Sequence, residues 1–212
     1  MRFILASKSP ARRETLRRAG LRPEILASGA DEDSITAERT HDLVAALADL
    51  KAHDVIERLH ITEPTALVAC DSMLEFEGKS HGKPGSTEEA IRLWSRMRGQ
   101  SGVLHTGHHV STWDIEGVHR TMTRVASTTV TFADLTDAEI AAYAATGEPE
   151  RVAGGFTTDS YGGPFVTRMS GDPHNVVGIS LPLLRQMLLD LGVQWHLLWP
   201  KVVLPEQSDV EP

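Results

Sequence analysis

The residues best suited to chemistry in this sequence lie near its start, between a short apolar run and a helix-like segment. The stretch LASKSPARRETL contains Ser7, Ser9, Arg12 and Arg13. Serine followed by Pro10 is typical of a helix start, because serine caps the first turn and proline suits the first helical position. A helix start offers unpaired backbone N–H groups, and hydroxyl and guanidinium donors match phosphate oxygens. The stretch therefore predicts a phosphate site; a plain cap with solvated arginines is the alternative.

Two acidic positions could complement such a site. Asp71 stands where the apolar run TALVAC stops, and ligands of open α/β sheets gather at the carboxyl ends of strands. A carboxylate there is suited to holding Mg²⁺ or positioning water. Glu32, within the acidic triplet at 31–33, is a second candidate ligand. A strand-ending aspartate and a solvated acidic loop are the alternatives.

A lysine in a turn is a further candidate. Lys83 lies in HGKP, where glycine permits close backbone approach and proline fixes the direction of the chain. The nearby Gly78-Lys79-Ser80 is not a P-loop, because Met73 stands where that motif requires its first glycine. Lys83 is either a ligand-binding residue or a solvated turn residue.

Three histidines and the single cysteine suggest chemistry less strongly. His105 and His109 would share one face of a strand while His108 faces the other, so the three should not converge on zinc. Cys70 should point away from Asp71, and we expect it to be a small core residue.

The elements that must position these residues alternate between strand and helix patterns, which indicates the α/β class with some antiparallel pairing. The run TALVAC is apolar throughout and suits a central strand covered on both faces. Capping signals and apolar spacing predict strands at 2–6, 23–28, 65–76 and 164–169, a hairpin over 103–132 with its turn at 114–117, and helices at 10–20, 40–59, 86–99, 136–147 and 181–191.

Composition sets limits on partners. The chain has 212 residues and a formal net charge of −8, which argues against nonspecific nucleic-acid binding, since that requires a basic face. No apolar run approaches the roughly 20 residues that cross a bilayer, so we expect no membrane partner. One cysteine fits a reducing cytosol, and a cytoplasmic location is expected.

Taken together, these stretches resemble the Maf family of nucleoside triphosphate pyrophosphatases from Phe3 to Gly192. The matching pieces, in family order, are LASKSPARRETLRRAGL, DED, LADLKA, ACDSM, GKP, LHTG, VTFADLTDAEIAAYAATGEP, AGGF and GDPHNVVGISLPLL. The resemblance implies an α/β fold with an elongated mixed sheet flanked by helices and two lobes around a central cleft. We expect a single domain over residues 1–200. The tail over 201–212 is rich in acidic and proline residues, and we expect it to be disordered.

The resemblance also implies an activity: metal-dependent hydrolysis of a nucleoside triphosphate between its α and β phosphates, which gives a monophosphate and pyrophosphate. Mg²⁺ is the expected cation, and Mn²⁺ or Co²⁺ are alternatives. Asp71 matches the general base, and Glu32 matches a carboxylate that helps to bind metal or order the water. The positions that would hold the triphosphate are Ser7, Ser9, Arg12, Arg13, Lys51 and Lys83.

Three positions that resemble substrate-sorting positions of the family depart from its common pattern, namely Ala11, Ser72 and Asp159. A carboxylate accepts hydrogen bonds but donates none. Asp159 therefore favours a base with adjacent donors, such as the N1–H and N2–H₂ edge of guanine, over uracil or thymine.

Two other functions stay open at this stage. A regulator of septum formation could sense nucleotide without hydrolysing it, and the resemblance also leaves a homodimer open. A nucleic-acid-binding module is disfavoured, because only 5% of residues are aromatic and they form no regular stacking platform.

Overall fold

The computed structural model describes residues 1–200, which form a seven-stranded sheet flanked by helices. The strand order is β2-β1-β3-β5-β6-β7, and β4 pairs with β3. The strands are β1 (Arg2–Leu5), β2 (Glu24–Ile25), β3 (Thr65–Phe76), β4 (Lys79–His81), β5 (Ser101–Trp113), β6 (His119–Phe132) and β7 (Val166–Ser170). The helices are α1 (Pro10–Arg18), α2 (Thr40–Ile56), α3 (Thr87–Met97), α4 (Asp137–Ala145), α5 (Pro173–Val177) and α6 (Leu181–Asp190).

Strand β3 is the centre of the sheet and has the predicted bounds. It pairs in parallel with β1 on one side and antiparallel with β5 on the other. Its residues 65–71 are buried, in keeping with the unbroken apolar run. The β5–β6 hairpin is also confirmed, and the Asp114 side chain accepts the N–H groups of Glu116 and Val118 in its turn.

Local capping explains where the helices begin. The Ser9 side chain accepts the N–H of Arg12 at the start of α1, and the reciprocal capping box of Thr136 and Glu139 opens α4. Ser86 caps α3 by accepting the N–H of Glu89. These side chains satisfy donors that a helix start leaves unpaired, so the predicted starts are confirmed.

Three apolar clusters cover the sheet, and β3 contributes to each of them. The first cluster contains Cys70 and residues of β1, α1 and α6. The second contains Leu74, Trp94 of α3, and the aromatic residues Phe156 and Phe165. The third includes Leu67 and lies under α2. Cys70 is fully buried, and this burial raises the pKa of its thiol to about 12. Its predicted core role is confirmed.

Several element predictions need correction. The strand expected at 23–28 is reduced to Glu24–Ile25, and the strand expected at 164–169 is Val166–Ser170, preceded by a 3₁₀ turn at Gly163–Phe165. The long second helix ends at Ile56, and the acidic loop contains a 3₁₀ turn at Glu32–Ser34. Such short segments follow their neighbours in space more than their own sequence.

The mixed α/β fold class is confirmed, whereas the domain limits stay a prediction. The tail expected over 201–212 lies outside the described residues. Within residues 1–200, no helix combines the length and apolarity that spanning a membrane requires.

Candidate active site

Part of the predicted site gathers at a break in the pairing of β3. β1 pairs with β3 from Thr65 to Val68, and β4 pairs with it from Leu74 to Phe76. Between them, no described strand pairs with that edge of residues 69–73, which we call the β3 gap. Asp71 and Ser72 lie in the β3 gap. Since α1 follows directly after β1, the sheet order brings the start of α1 to this gap.

Arg12 ties the start of α1 to the β3 gap. Its Nη1 donates to the Cys70 carbonyl at 2.9 Å and to Ser7 Oγ at 3.2 Å, and its Nη2 donates to Ser72 Oγ at 2.9 Å. Its Nε donates to the Gly178 carbonyl at 2.7 Å. Four of the five guanidinium N–H groups are thus engaged with the protein. Arg12 therefore first of all holds the structure together, and among the described residues one of its N–H groups has no partner.

Glycine is required where Arg12 meets the segment after α5. Gly178 has a φ of 112°, and an added Cβ would lie 3.1 Å from Arg12 Nε. A side chain would therefore both strain the backbone and displace the guanidinium group. Gly178 was not among the predicted site residues, although it lies in the family-like piece GDPHNVVGIS.

The first turn of α1 leaves two side chains outside this tie. Ala11 and Arg13 are exposed, whereas Ser7 and Ser9 are half-buried and serve local caps. Ser7 Oγ accepts the N–H of Ser9 at 3.2 Å. Because Arg13 makes no side-chain hydrogen bond or ion pair within residues 1–200, its guanidinium group is available to a ligand at the helix start.

Lys51, Asp71 and Glu32 form a second cluster on α2, β3 and the acidic turn. Lys51 Nζ lies 2.6 Å from Asp71 Oδ1 and 2.9 Å from Glu32 Oε2. The Lys51 and Asp71 side chains are only 13% and 9% exposed, whereas that of Glu32 is 53% exposed. The ammonium group of Lys51, a predicted phosphate-binding residue, thus bridges two carboxylates.

One buried oxygen of this cluster has no hydrogen-bond partner in the part of the chain that the structure describes. Asp71 Oδ2 is buried and makes no hydrogen bond within residues 1–200. An unsatisfied buried acceptor is costly, so its persistence indicates a position that a water, a proton donor or a cation would complete. Asp71 Oδ2 and the exposed Glu32 carboxylate are the oxygens available for a metal.

The position of Lys51 depends on a close approach of α2 to the sheet. Gly107 of β5 pairs with Asp71, and an added Cβ on it would lie 2.0 Å from the Val44 carbonyl oxygen. Only glycine lets α2 pass so closely over β5. Val44 lies two helical turns before Lys51, so the same approach brings Lys51 to Asp71.

Buried polar contacts connect Ser72 to α5. Ser72 Oγ lies 2.9 Å from Thr106 Oγ1, which donates to the Asn175 carbonyl at 3.2 Å. The Asn175 amide in turn donates to the Leu104 carbonyl at 3.1 Å. Thr106 and Asn175 were not predicted as site residues, because their role depends on contacts between distant segments.

Lys83 and Asp159 lie on two exposed segments, and the Lys83 segment follows β4. β4 is antiparallel to β3 with His81 opposite Leu74, so the chain that carries Lys83 continues toward the level of Ser72. The Gly82 carbonyl accepts the N–H of Gly154 at 2.9 Å. Both side chains are exposed, and within residues 1–200 neither they nor Arg13 contact the Arg12 or Lys51 clusters through a side-chain hydrogen bond or ion pair.

The three histidines alternate as predicted. The rings of His105 and His109 contact His41 and His53 of α2. His108 faces the other side, where its Nε2 accepts the N–H of Ser180 at 2.8 Å. They do not meet at one point.

Fold and site together define the class: a mixed-sheet α/β protein in which Arg12 and an ion-paired cluster of Lys51, Asp71 and Glu32 lie at the β3 gap. The Maf-like protein family model matches residues 2–191. The chain belongs to the Maf-like protein family, and the resemblance drawn from its motifs is confirmed.

Curated relatives and a solved structure give the extent of similarity. A Cutibacterium acnes protein is 55% identical over 93% of this chain and 94% of its own length, and it is named nucleoside triphosphate pyrophosphatase. A Salinispora tropica protein of the same name is 50% identical over 95% of this chain and 88% of its own. The Staphylococcus aureus Ham1 structure is 13% identical, with a TM-score of 0.40 over 63% of this chain and 73% of its own, a similarity too low to bear on the site.

Proposed function

We propose that this protein is a nucleoside triphosphate pyrophosphatase that cleaves the α–β phosphoanhydride and releases a nucleoside monophosphate and pyrophosphate. The names of its relatives support this activity. The observation that carries the proposal is the cluster of Lys51, Asp71 and Glu32, placed beside a helix start suited to anions. Hydrolysis of a polyphosphate needs both a positioned water and cations around the phosphate oxygens.

In this proposal the exposed cations and the helix start bind the triphosphate. Arg13 and Lys83 have exposed side chains, and the first turn of α1 adds backbone N–H groups and the hydroxyl groups of Ser7 and Ser9. Arg12 contributes its one free N–H and fixes the helix start against β3. Charge on these groups stabilises the oxygens as the α phosphorus is attacked.

Asp71 is proposed as the general base. Its Oδ1 is held by Lys51 at 2.6 Å, which leaves Oδ2 free to accept a proton from water. The water oxygen forms the new bond to the α phosphorus, and the bond from that phosphorus to the bridging oxygen breaks. Pyrophosphate leaves with the bridging oxygen. Glu32, whose side chain is exposed, orients the water.

A divalent cation fits the donor set. Asp71 Oδ2 lacks a partner and Glu32 is exposed, and Mg²⁺ commonly takes only one or two carboxylates while phosphates and water supply its other ligands. We propose that Glu32 and Asp71 hold it through one lone pair of Asp71 Oδ2, so that the second lone pair of this oxygen accepts the water proton. Mn²⁺ or Co²⁺ are the alternatives. When bound, the ion neutralises charge on the triphosphate oxygens.

Base preference is assigned to Ala11, Ser72 and Asp159. The Ser72 hydroxyl group is already hydrogen-bonded to Arg12 and Thr106. Ser72 therefore affects base preference through the shape of the β3 gap. The exposed Asp159 favours adjacent donors, as on guanine. We expect the native protein to prefer GTP or 7-methyl-GTP over UTP and dTTP, and D159Q to reduce that preference. A native preference for pyrimidines that D159Q leaves unchanged would contradict this assignment.

The activity is tested with a panel of nucleoside triphosphates and the D71N variant. We expect pyrophosphate as the first product, and a loss of kcat by about 10²–10⁴-fold in D71N, because a general base contributes an effect of that size. KM should change little, since the phosphate-binding cations stay in place. D33N, beside Glu32 on the same exposed turn, is the matched control.

Orthophosphate as the first product would overturn α–β cleavage. Nucleotide binding without turnover in the native protein would instead favour the nucleotide-sensing regulator. Equal activity of D71N and D33N would remove Asp71 from the mechanism.

A further inference from the structure

The side chain of Glu148 is the shared acceptor of a ring of hydrogen bonds. Its Oε1 accepts from Tyr143 Oη at 2.9 Å, from Thr157 Oγ1 at 2.6 Å and from the Gly162 N–H at 3.0 Å. Its Oε2 accepts the N–H of Tyr161 at 3.4 Å. Three of these four donors belong to residues 157–162, which we call the Asp159 loop.

The Asp159 loop has firmly anchored ends and an exposed middle. Phe156 and Phe165, on either side of it, pack in the aromatic cluster around Trp94. Asp159, Ser160 and Tyr161 are exposed. The core therefore fixes where the Asp159 loop begins and ends, but it leaves open the path between.

Glu148 fixes that path. Thr157 at the beginning and Gly162 at the end of the Asp159 loop donate to the same Glu148 oxygen, so the carboxylate closes the loop upon itself. An added Cβ on Gly162 would lie 2.5 Å from Tyr143 Oη and 2.8 Å from the Thr157 backbone. The base of the closed loop is therefore tightly packed around Gly162.

The electrostatics agree with an ionised carboxylate in this ring. Burial alone raises the pKa of Glu148, but hydrogen bonds from Ser160, Thr157 and Tyr143 outweigh it and hold the pKa below its usual value. Burial and the facing carboxylate raise the pKa of the Tyr143 hydroxyl, so Tyr143 stays a donor. Hydrogen bonds to a charged acceptor are stronger than neutral ones.

We propose that Glu148 is a positioning residue for substrate preference: by holding the Asp159 loop in one shape, it sets where Asp159 meets the nucleotide base. The inference rests on the proposed function and deepens it. In this proposal Asp159 contacts the base, and Glu148 fixes the conformation of the Asp159 loop.

The decisive measurement is the ratio of kcat/KM for GTP to that for UTP. A fraction of misfolded enzyme lowers both values by the same factor, so a merely structural defect leaves the ratio unchanged. We expect E148A to shift the ratio about tenfold toward that of D159A, because small misplacements of contact groups have effects of this size. E148Q should shift it less, since its amide oxygen still accepts at the Oε1 position.

E139A is the matched control. Glu139 also accepts hydrogen bonds from a threonine, Thr136, but it caps α4 and does not contact the Asp159 loop. We expect E139A to lower stability and leave the ratio as in the native protein. If E148A does not fold, Y143F and T157V, which each remove one donor to the same oxygen, take its place.

A double variant tests the order of action. If Glu148 acts through Asp159, adding E148A to D159A leaves the D159A ratio unchanged. An unchanged ratio in E148A, or an equal further shift in the double variant, would overturn the inference. Neither outcome resembles failure of the proposed function, in which the native protein would release no pyrophosphate from either nucleotide.

Discussion

The stability of this protein should depend on the protonation of one buried histidine, His108. Its Nδ1 donates to the Thr106 carbonyl at 2.9 Å, and its Nε2 accepts the N–H of Ser180 at 2.8 Å. This pair of bonds requires the neutral ring, since a proton on Nε2 would face the Ser180 N–H. Burial lowers the pKa of His108 from 6.5 to about 4.

The sign and size of the effect follow from linkage. In the unfolded chain the ring takes up a proton near pH 6.5, whereas in the folded protein it stays neutral down to about pH 4. The unfolded state therefore binds more protons between these values, and the free energy of unfolding falls as pH falls through that window. Between pH 7.5 and 4.5 the loss is about 2.5 kcal/mol, at about 1.4 kcal/mol per pH unit of separation.

Urea unfolding at pH 7.5 and 4.5 measures this loss, with H108Q and H60Q as a pair of variants. Glutamine at 108 cannot titrate, and His60 is an exposed histidine. The carboxylates contribute equally to all three proteins, so their part cancels in the comparison. We expect the free energy of unfolding of H108Q to fall by about 2.5 kcal/mol less than that of the native protein. H60Q should lose as much as the native protein. An equal loss in all three would refute the argument.

Two further substitutions test how the site is held together. R12K should lower the free energy of unfolding by about 2 kcal/mol, because an ammonium group cannot replace four directed hydrogen bonds. R13K changes an exposed side chain, and its free energy of unfolding should lie within about 0.5 kcal/mol of the native value. An equal loss in both variants would contradict the structural role of Arg12. G107A should cost about 2–3 kcal/mol, because its Cβ would meet the Val44 carbonyl. G29A, where a Cβ meets nothing within 4 Å, is its control in the same denaturation assay, and matched stability would contradict the close approach of α2.

Much of the fold could be predicted because its signals are local. The bounds of β3, the hairpin turn at Asp114 and the capping box at Thr136 follow from runs of apolar residues and from side chains that bond within a few positions. The strand expected at 23–28 is shorter and α5 was not predicted. Such short elements gain most of their stability from neighbours distant in sequence.

The residue types of the candidate site could also be predicted from the sequence, since binding and hydrolysing a phosphate requires arginine, lysine, serine and carboxylate side chains. The arrangement of these side chains could not be predicted. The ion pairs of Lys51 with Asp71 and Glu32 and the hydrogen-bonded position of Glu148 have no local signal, and the phosphate-binding role of Lys51 stays a prediction.

The sequence by itself determined the α/β class, the positions of the caps and the set of groups able to bind an anion, because each depends on near neighbours. Only the tertiary structure decided which of these groups form ion pairs or hydrogen bonds with one another. Arg12 meets a carbonyl 166 positions away, and Lys51 reaches Asp71 only because Gly107 lets α2 lie close to the sheet. Such contacts depend on strand order and on the space that one absent side chain leaves, and no local pattern encodes either.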